Sequence, residues 1–196
     1  GFSSVVIIVL GVANLLADGF SMAVSNYQST KSQRQEVEQA RRSEERQVED
    51  IPEGEREEVR QIFAAKGFSG ETLDKIVETI TNDERLWVNT MLTEELGLEL
   101  EGPDPLRAAL ATGTAFLMVG LLPLIPFLIP IFPVDTRFMA SAVAAGFAFF
   151  AVGAAKGIVL NRPVVRSGVE TFLTGGGAAL LAFLVGSWLQ AAFGFA

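Results

Sequence analysis

The chain contains no cysteine and no histidine. The first absence excludes a disulfide-stapled secreted scaffold and any iron–sulfur cluster. The second removes His-ligated haem and His-based catalytic triads, and together they remove the usual zinc sites. A metal bound here must be held by carboxylates, Met sulfur, carbonyls or water. Charge is scarce too, except in one place. Residues 31–107 hold 20 of the 23 acids and 11 of the 15 bases, a net charge of −9; the other 119 residues hold 3 acids and 4 bases. Overall 49% of the chain is hydrophobic and its mean hydropathy is +0.38, too high for an ordinary soluble domain. Disorder is excluded by the same apolar excess. The acidic balance of the charged stretch argues against nucleic acid.

What is present is four long apolar stretches: residues 2–25, 106–132, 138–160 and 169–195. About 20 apolar residues in a helix cross a bilayer core. The first opens at Gly1, lacks a basic leader and runs past any cleavage site. It therefore reads as a membrane helix near the cut end of a longer protein, not as a signal peptide. Pro123, Pro126, Pro130 and Pro133 should break the outer half of the second stretch. Gly175, Gly176 and Gly177 suit a tight crossing in the last, and Trp188 an interfacial anchor. The expected fold is all-α. Residues 1–30 form a membrane helix, 31–104 an acidic helical domain, and 105–196 three further membrane helices. Lys31, Arg34, Arg41, Arg42 and Arg46 in the insert, and Lys156, Arg162 and Arg166 around the connector 161–168, place both on the cytoplasmic side, with Asp135 opposite.

Inside the insert, Pro52 should interrupt a long polar helix running from Lys31 to about Asp50. Three short helices follow: 53–66 closed by Gly67, one started by Ser69 and Glu71, and one capped by Asn82 and closed by Gly97. Two constellations could carry chemistry. Glu55 and Glu58 share a helical face, and Met91 shares one with Glu94 and Glu95. With Glu44, Glu45, Glu49 and Glu57 nearby, these carboxylates and the thioether suit Fe²⁺ or Mn²⁺. A solvated acidic surface interleaved with Arg is the simpler reading of the pattern alone. The second constellation is Asn14, Asp18 and Met22, one stripe of the first apolar helix. A buried acid in lipid costs at least about 2.5 kcal/mol, so Asp18 should face a cavity, a partner or an ion path unless it reaches interfacial water. Lys156 and Glu170 could pair across the last helix hairpin.

The order of GVANLLADGFSMAVSNYQSTKSQ (11–33), EER…IPEGEREEV (44–59), W…M..EELGLE (87–99), PLRAAL.T..AF…G..PLIPF (105–127), AKG (155–157) and R..VETF (166–172) resembles the vacuolar iron transporter family. The resemblance implies five membrane helices, of which the first would be absent here, with a three-helix cytoplasmic metal-binding domain between the second and third. It implies a homodimer that moves divalent iron, or manganese, out of the cytosol in exchange for protons. It implies an integral membrane protein of the vacuole in a eukaryote, or of the plasma (inner) membrane in a prokaryote. Carried over by position, Glu44, Glu55, Glu58, Met91 and Glu95 fall on metal ligands, and Asn14, Asp18 and Met22 on the path. Gln47 stands where the family commonly has an acid, with Glu45 and Glu49 beside it; Asn14 stands where plant members have Glu. The resemblance favours the metal site over the solvated surface. No tightly bound cofactor and no covalent catalysis are expected, so the chain is a transporter and not an enzyme. A membrane-anchored scaffold whose acidic domain docks a basic partner is the alternative.

Overall fold

The computed structural model describes residues 4–129 and 133–193; the side chains of Val134 and Asp135 lie outside the described set. Pro130 is likewise outside it, and so is Asp135 as the marker of the opposite side. Among the described residues the chain is helical, with no strand. The helices are α1 (Ser4–Asp50), α2 (Pro52–Ala65), α3 (Gly70–Thr81), α4 (Glu84–Thr90), α5 (Pro105–Leu121), α6 (Ile125–Leu128), α7 (Val134–Val159) and α8 (Val164–Phe193). Four segments are long and apolar enough to cross a membrane: the apolar part of α1, Pro105–Leu128, Thr136–Val159 and Val164–Phe193. The all-α membrane architecture expected from the sequence is the one found.

The chain falls into two compact units, with α1 and α5 each contributing to both. One comprises residues up to Met22 and from Thr112 onward; the other runs from Ala23 to Ala111.

In the first unit, glycines let helices approach closely. A Cβ on Gly120 would lie 2.3 Å from Leu15 Cδ1, and one on Gly11 2.7 Å from Leu124 Cδ2. Pro123 and Pro126 act as expected. Helix α5 stops at Leu121, a single 3₁₀ turn spans Leu122–Leu124, and α6 restarts with Pro126 in its first turn. The break frees backbone carbonyls in an apolar setting, and Ser141 Oγ of α7 donates to Pro123 O at 2.7 Å. Helices α7 and α8 pack as a hairpin. Their tightest approach is at Gly153, where a Cβ would meet Ser167 O at 2.5 Å and Thr171 Oγ1 at 2.6 Å. This corrects the expectation for the triple glycine: Gly175 packs on the Phe149 ring, whereas Gly176 and Gly177 face open space. The connector is also shorter than 161–168. Asn161, at φ 53°, closes α7 with hydrogen bonds from Asn161 N to Ile158 O and from Arg162 N to Gly157 O. Pro163 then leads directly into α8 at Val164, because its fixed φ suits a helix start and nothing in VVRSG stops one.

In the second unit α1 continues as a polar helix to Asp50, and Ile51 turns the chain into α2 at Pro52. Gly67, at φ 96°, ends α2, with Phe68 N donating to Phe63 O. Val59, Leu73, Val77, Ile80, Trp87 and Met91 form the core, flanked by Val48, Ile62, Phe63 and Ile76. The helical spacing of these apolar residues is what brings α2, α3 and α4 together. The start of α4 differs from expectation: Asp83, not Asn82, caps it, accepting from Leu86 N at 3.0 Å, while Asn82 ends α3. A carboxylate at the N-cap also meets the positive end of the helix dipole. The helix then widens to a π turn over Met91–Glu95, with Leu96 N donating to Met91 O. Residues 102–108 are tied back to α1. Asn26 Nδ2 donates to Ala108 O at 3.1 Å and Arg34 Nη2 to Gly102 O at 3.4 Å, with Arg34 3.8 Å from Asp104.

Candidate metal centre

Three segments of the second unit each bring carboxylates toward one another. Helix α1 supplies Glu44, α2 supplies Glu55 and Glu58, and the π turn supplies Glu95. Glu55 is 1% exposed and Glu44 5%, unusual burial for acids. Glu58 and Glu95 are exposed. Both oxygens of Glu55 and Oε2 of Glu44 are buried with no hydrogen-bond partner. Carboxylates in that condition normally find a cation, a proton or a donor.

The electrostatics carry the same signature. Burial first, then the charges of Glu58, Glu44 and Glu95, push the Glu55 carboxyl up to about 7. Burial, Glu95 and Glu58 raise Glu44. Burial and Glu58 raise Glu95. No basic side chain acts against these shifts. Arg60 pairs with Asp74 and Glu57 and Lys66 with Glu94, while the Arg56 guanidinium lies over the Trp87 ring, 6.0 Å from its centroid. The four acids thus repel one another in a partly desolvated place, and a divalent cation would relieve both penalties. As the side chains stand, no three acids among the described residues are close enough to share one ion. Closing on an ion would be left to Glu58 and Glu95, whose side chains are exposed.

The remaining site residues are placed as follows. Met91 is fully buried in the hydrophobic core. Glu94 is turned to Lys66 rather than into the cluster. Glu45 lines a pocket of about 280 Å³ with Arg41, Asp83, Glu84, Arg85 and Val88. Neither it nor Glu49 is among the charges acting on Glu44, Glu55 or Glu95. Asn14, Asp18 and Met22 are all exposed along α1. Lys156 and Glu170 do not pair. Glu170 accepts from Arg166 Nε at 2.9 Å, a partner one turn away on its own helix that needs no reach across the hairpin.

The model of the VIT family matches residues 1–187. The chain belongs to the VIT family. It is 32% identical to the vacuolar iron transporter of Toxoplasma gondii, covering 96% of this chain and 65% of that protein. It is 30% identical to vacuolar iron transporter 1 of Arabidopsis thaliana, over 96% of this chain and 75% of that one. The Centaurea cyanus vacuolar iron transporter is 31% identical over 92% of this chain. The chain therefore spans about two thirds to three quarters of the length of these VIT relatives.

Reading this VIT chain by pattern alone misses Lys66. At the end of α2 it looks like an ordinary cation on a helix C-terminus. Only the tertiary packing sets it against Glu94. The π turn is missed for a similar reason, since its sequence, MLTEE, has nothing that forbids a plain α-turn.

Proposed function

We propose that this VIT-family chain carries divalent iron, with Mn²⁺ as a second cargo, out of the cytosol in exchange for protons. One observation carries the reading: buried, partnerless carboxylate oxygens on Glu44 and Glu55, coupled through space to Glu58 and Glu95. In this reading the insert lies in the cytoplasm, as the Lys/Arg distribution favours. It captures the ion with those four acids, and Met91 adds a thioether once the core opens toward it. A carboxyl with a pKa of about 7 is near half-protonated at cytosolic pH, so taking up metal releases protons without a large change in pH.

From the insert the ion passes along Asn14, Asp18 and Met22. These residues are exposed on an apolar helix, which supports a covering surface from outside the chain, a second copy in a homodimer. Asp18 is the only titratable member of that stripe and would exchange proton for metal. The membrane is that of the vacuole in a eukaryote or the plasma (inner) membrane in a prokaryote. The named relatives are transporters, which fits a role without covalent catalysis.

Flux decides between this reading and an anchored scaffold. The full-length gene product, reconstituted in proteoliposomes with a metal-quenched dye inside, should move Fe²⁺ into the lumen under reducing conditions and alkalinise the lumen in step, as protons leave in exchange. A scaffold binds metal or a basic protein and leaves the dye unchanged.

A further inference from the structure

Glu94 and Glu95 are consecutive, so on a helical turn their side chains leave the axis about a quarter-turn apart, and only one can point at the Glu44 and Glu55 carboxylates. Glu95 is the one whose charge reaches Glu44 and Glu55. Glu94 instead meets the Lys66 ammonium. Lys66 is itself fixed: it ends α2, its backbone N–H donates to Ile62 O, and its ammonium lies 5.3 Å from the Phe63 ring centroid. Phe63 packs on the core that contains Met91. The Lys66–Glu94 pair therefore joins the end of the helix bearing Glu55 and Glu58 to the π turn bearing Met91 and Glu95.

We infer that Lys66 is a positioning residue: by holding Glu94 it sets the register of the π turn and so selects Glu95, not its neighbour, as the carboxylate offered to the metal cluster. The inference rests on the capture site proposed above, and it gives Glu94 the role of a tether in place of a ligand.

Simple electrostatics makes the opposite forecast. Removing a positive charge near four acids should tighten cation binding, whereas losing a positioning contact should loosen it. The test is Mn²⁺ titration by calorimetry on the whole chain in detergent, with metal-free thermal unfolding measured beside it. Lys66→Gln and Glu94→Gln should each weaken Mn²⁺ binding about 2- to 5-fold, the range of an exposed ion pair, with metal-free unfolding nearly unchanged. Lys66→Arg should bind as wild type does, and the double exchange Lys66→Glu with Glu94→Lys should recover most of the loss. Unchanged or tighter binding in Lys66→Gln, or no recovery in the double exchange, overturns the role of Lys66. Glu55→Gln with Glu58→Gln is the control for the site itself. If that pair leaves binding intact, the capture site is misplaced and the Lys66 role falls with it. If it abolishes binding while Lys66→Gln does nothing, only the Lys66 role falls.

Discussion

Glu44 and Glu55 lie on different helices, and each holds buried carboxylate oxygen that no donor satisfies. The charge of Glu44 helps, after burial and Glu58, to hold the Glu55 carboxyl up at about 7. The pair stores electrostatic cost in the metal-free protein. In the proposed reading a divalent ion would relieve that cost, which also sets how the protein should respond to pH.

Folded Glu55 takes up its proton near 7, whereas the unfolded chain does so near 4.5. Between those values the folded state holds more protons, so metal-free stability falls as pH rises from about 4.5 to 7 and levels off above. The expected span from this one group is up to about 3 kcal/mol. Thermal unfolding with a chelator present should show the slope, and Glu55→Gln should flatten most of it.

The same substitution separates stability from function. Glu55→Gln relieves a buried charge at neutral pH, so it should raise the metal-free melting temperature, while the added stability that wild type gains from Mn²⁺ should shrink. Paired melts with and without Mn²⁺ measure both effects on one sample.

The crossing of α7 and α8 makes a prediction of packing alone. A side chain at Gly153 would press on the Ser167 carbonyl and on Thr171. Gly153→Val should destabilise the chain in detergent by about 1–3 kcal/mol or more, whereas Gly176→Ala, which meets nothing, should be near neutral. Equal melting temperatures for the two variants would contradict the crossing.

Orientation is open to labelling, since the chain has no cysteine. Ser32→Cys and Asn161→Cys, both at exposed positions, should react with an impermeant thiol reagent from the cytoplasmic side, and exposed Thr136→Cys from the other. Labelling of Ser32→Cys from outside intact cells would reverse the topology.

Much of this is legible in sequence, for identifiable reasons. The membrane helices announce themselves because lipid demands long apolar runs, and the break after Leu121 because proline cannot continue a helix. Glu55 with Glu58, and Met91 with Glu95, can be paired by helical spacing. Burial is only partly legible: Glu55, four residues before Val59, shares its face whereas Glu57 does not, but spacing does not say how deeply that face is buried. That depth comes from Val59 docking on α3 and α4, a tertiary fact. Asp83 takes the cap from Asn82 through a one-residue shift that either side chain could have served. Glu170 chooses Arg166 over Lys156 because the rotamers of α8 bring that partner within reach without the cost of ordering a second helix's side chain.

The most direct test of the central claim is Mn²⁺ binding by the whole chain in detergent at about pH 7, wild type against Glu55→Gln with Glu58→Gln. Saturable binding with proton release is expected in the wild type, and loss of both in the double variant while the fold persists. Equal affinity in the two proteins, or binding with no proton release, would contradict it.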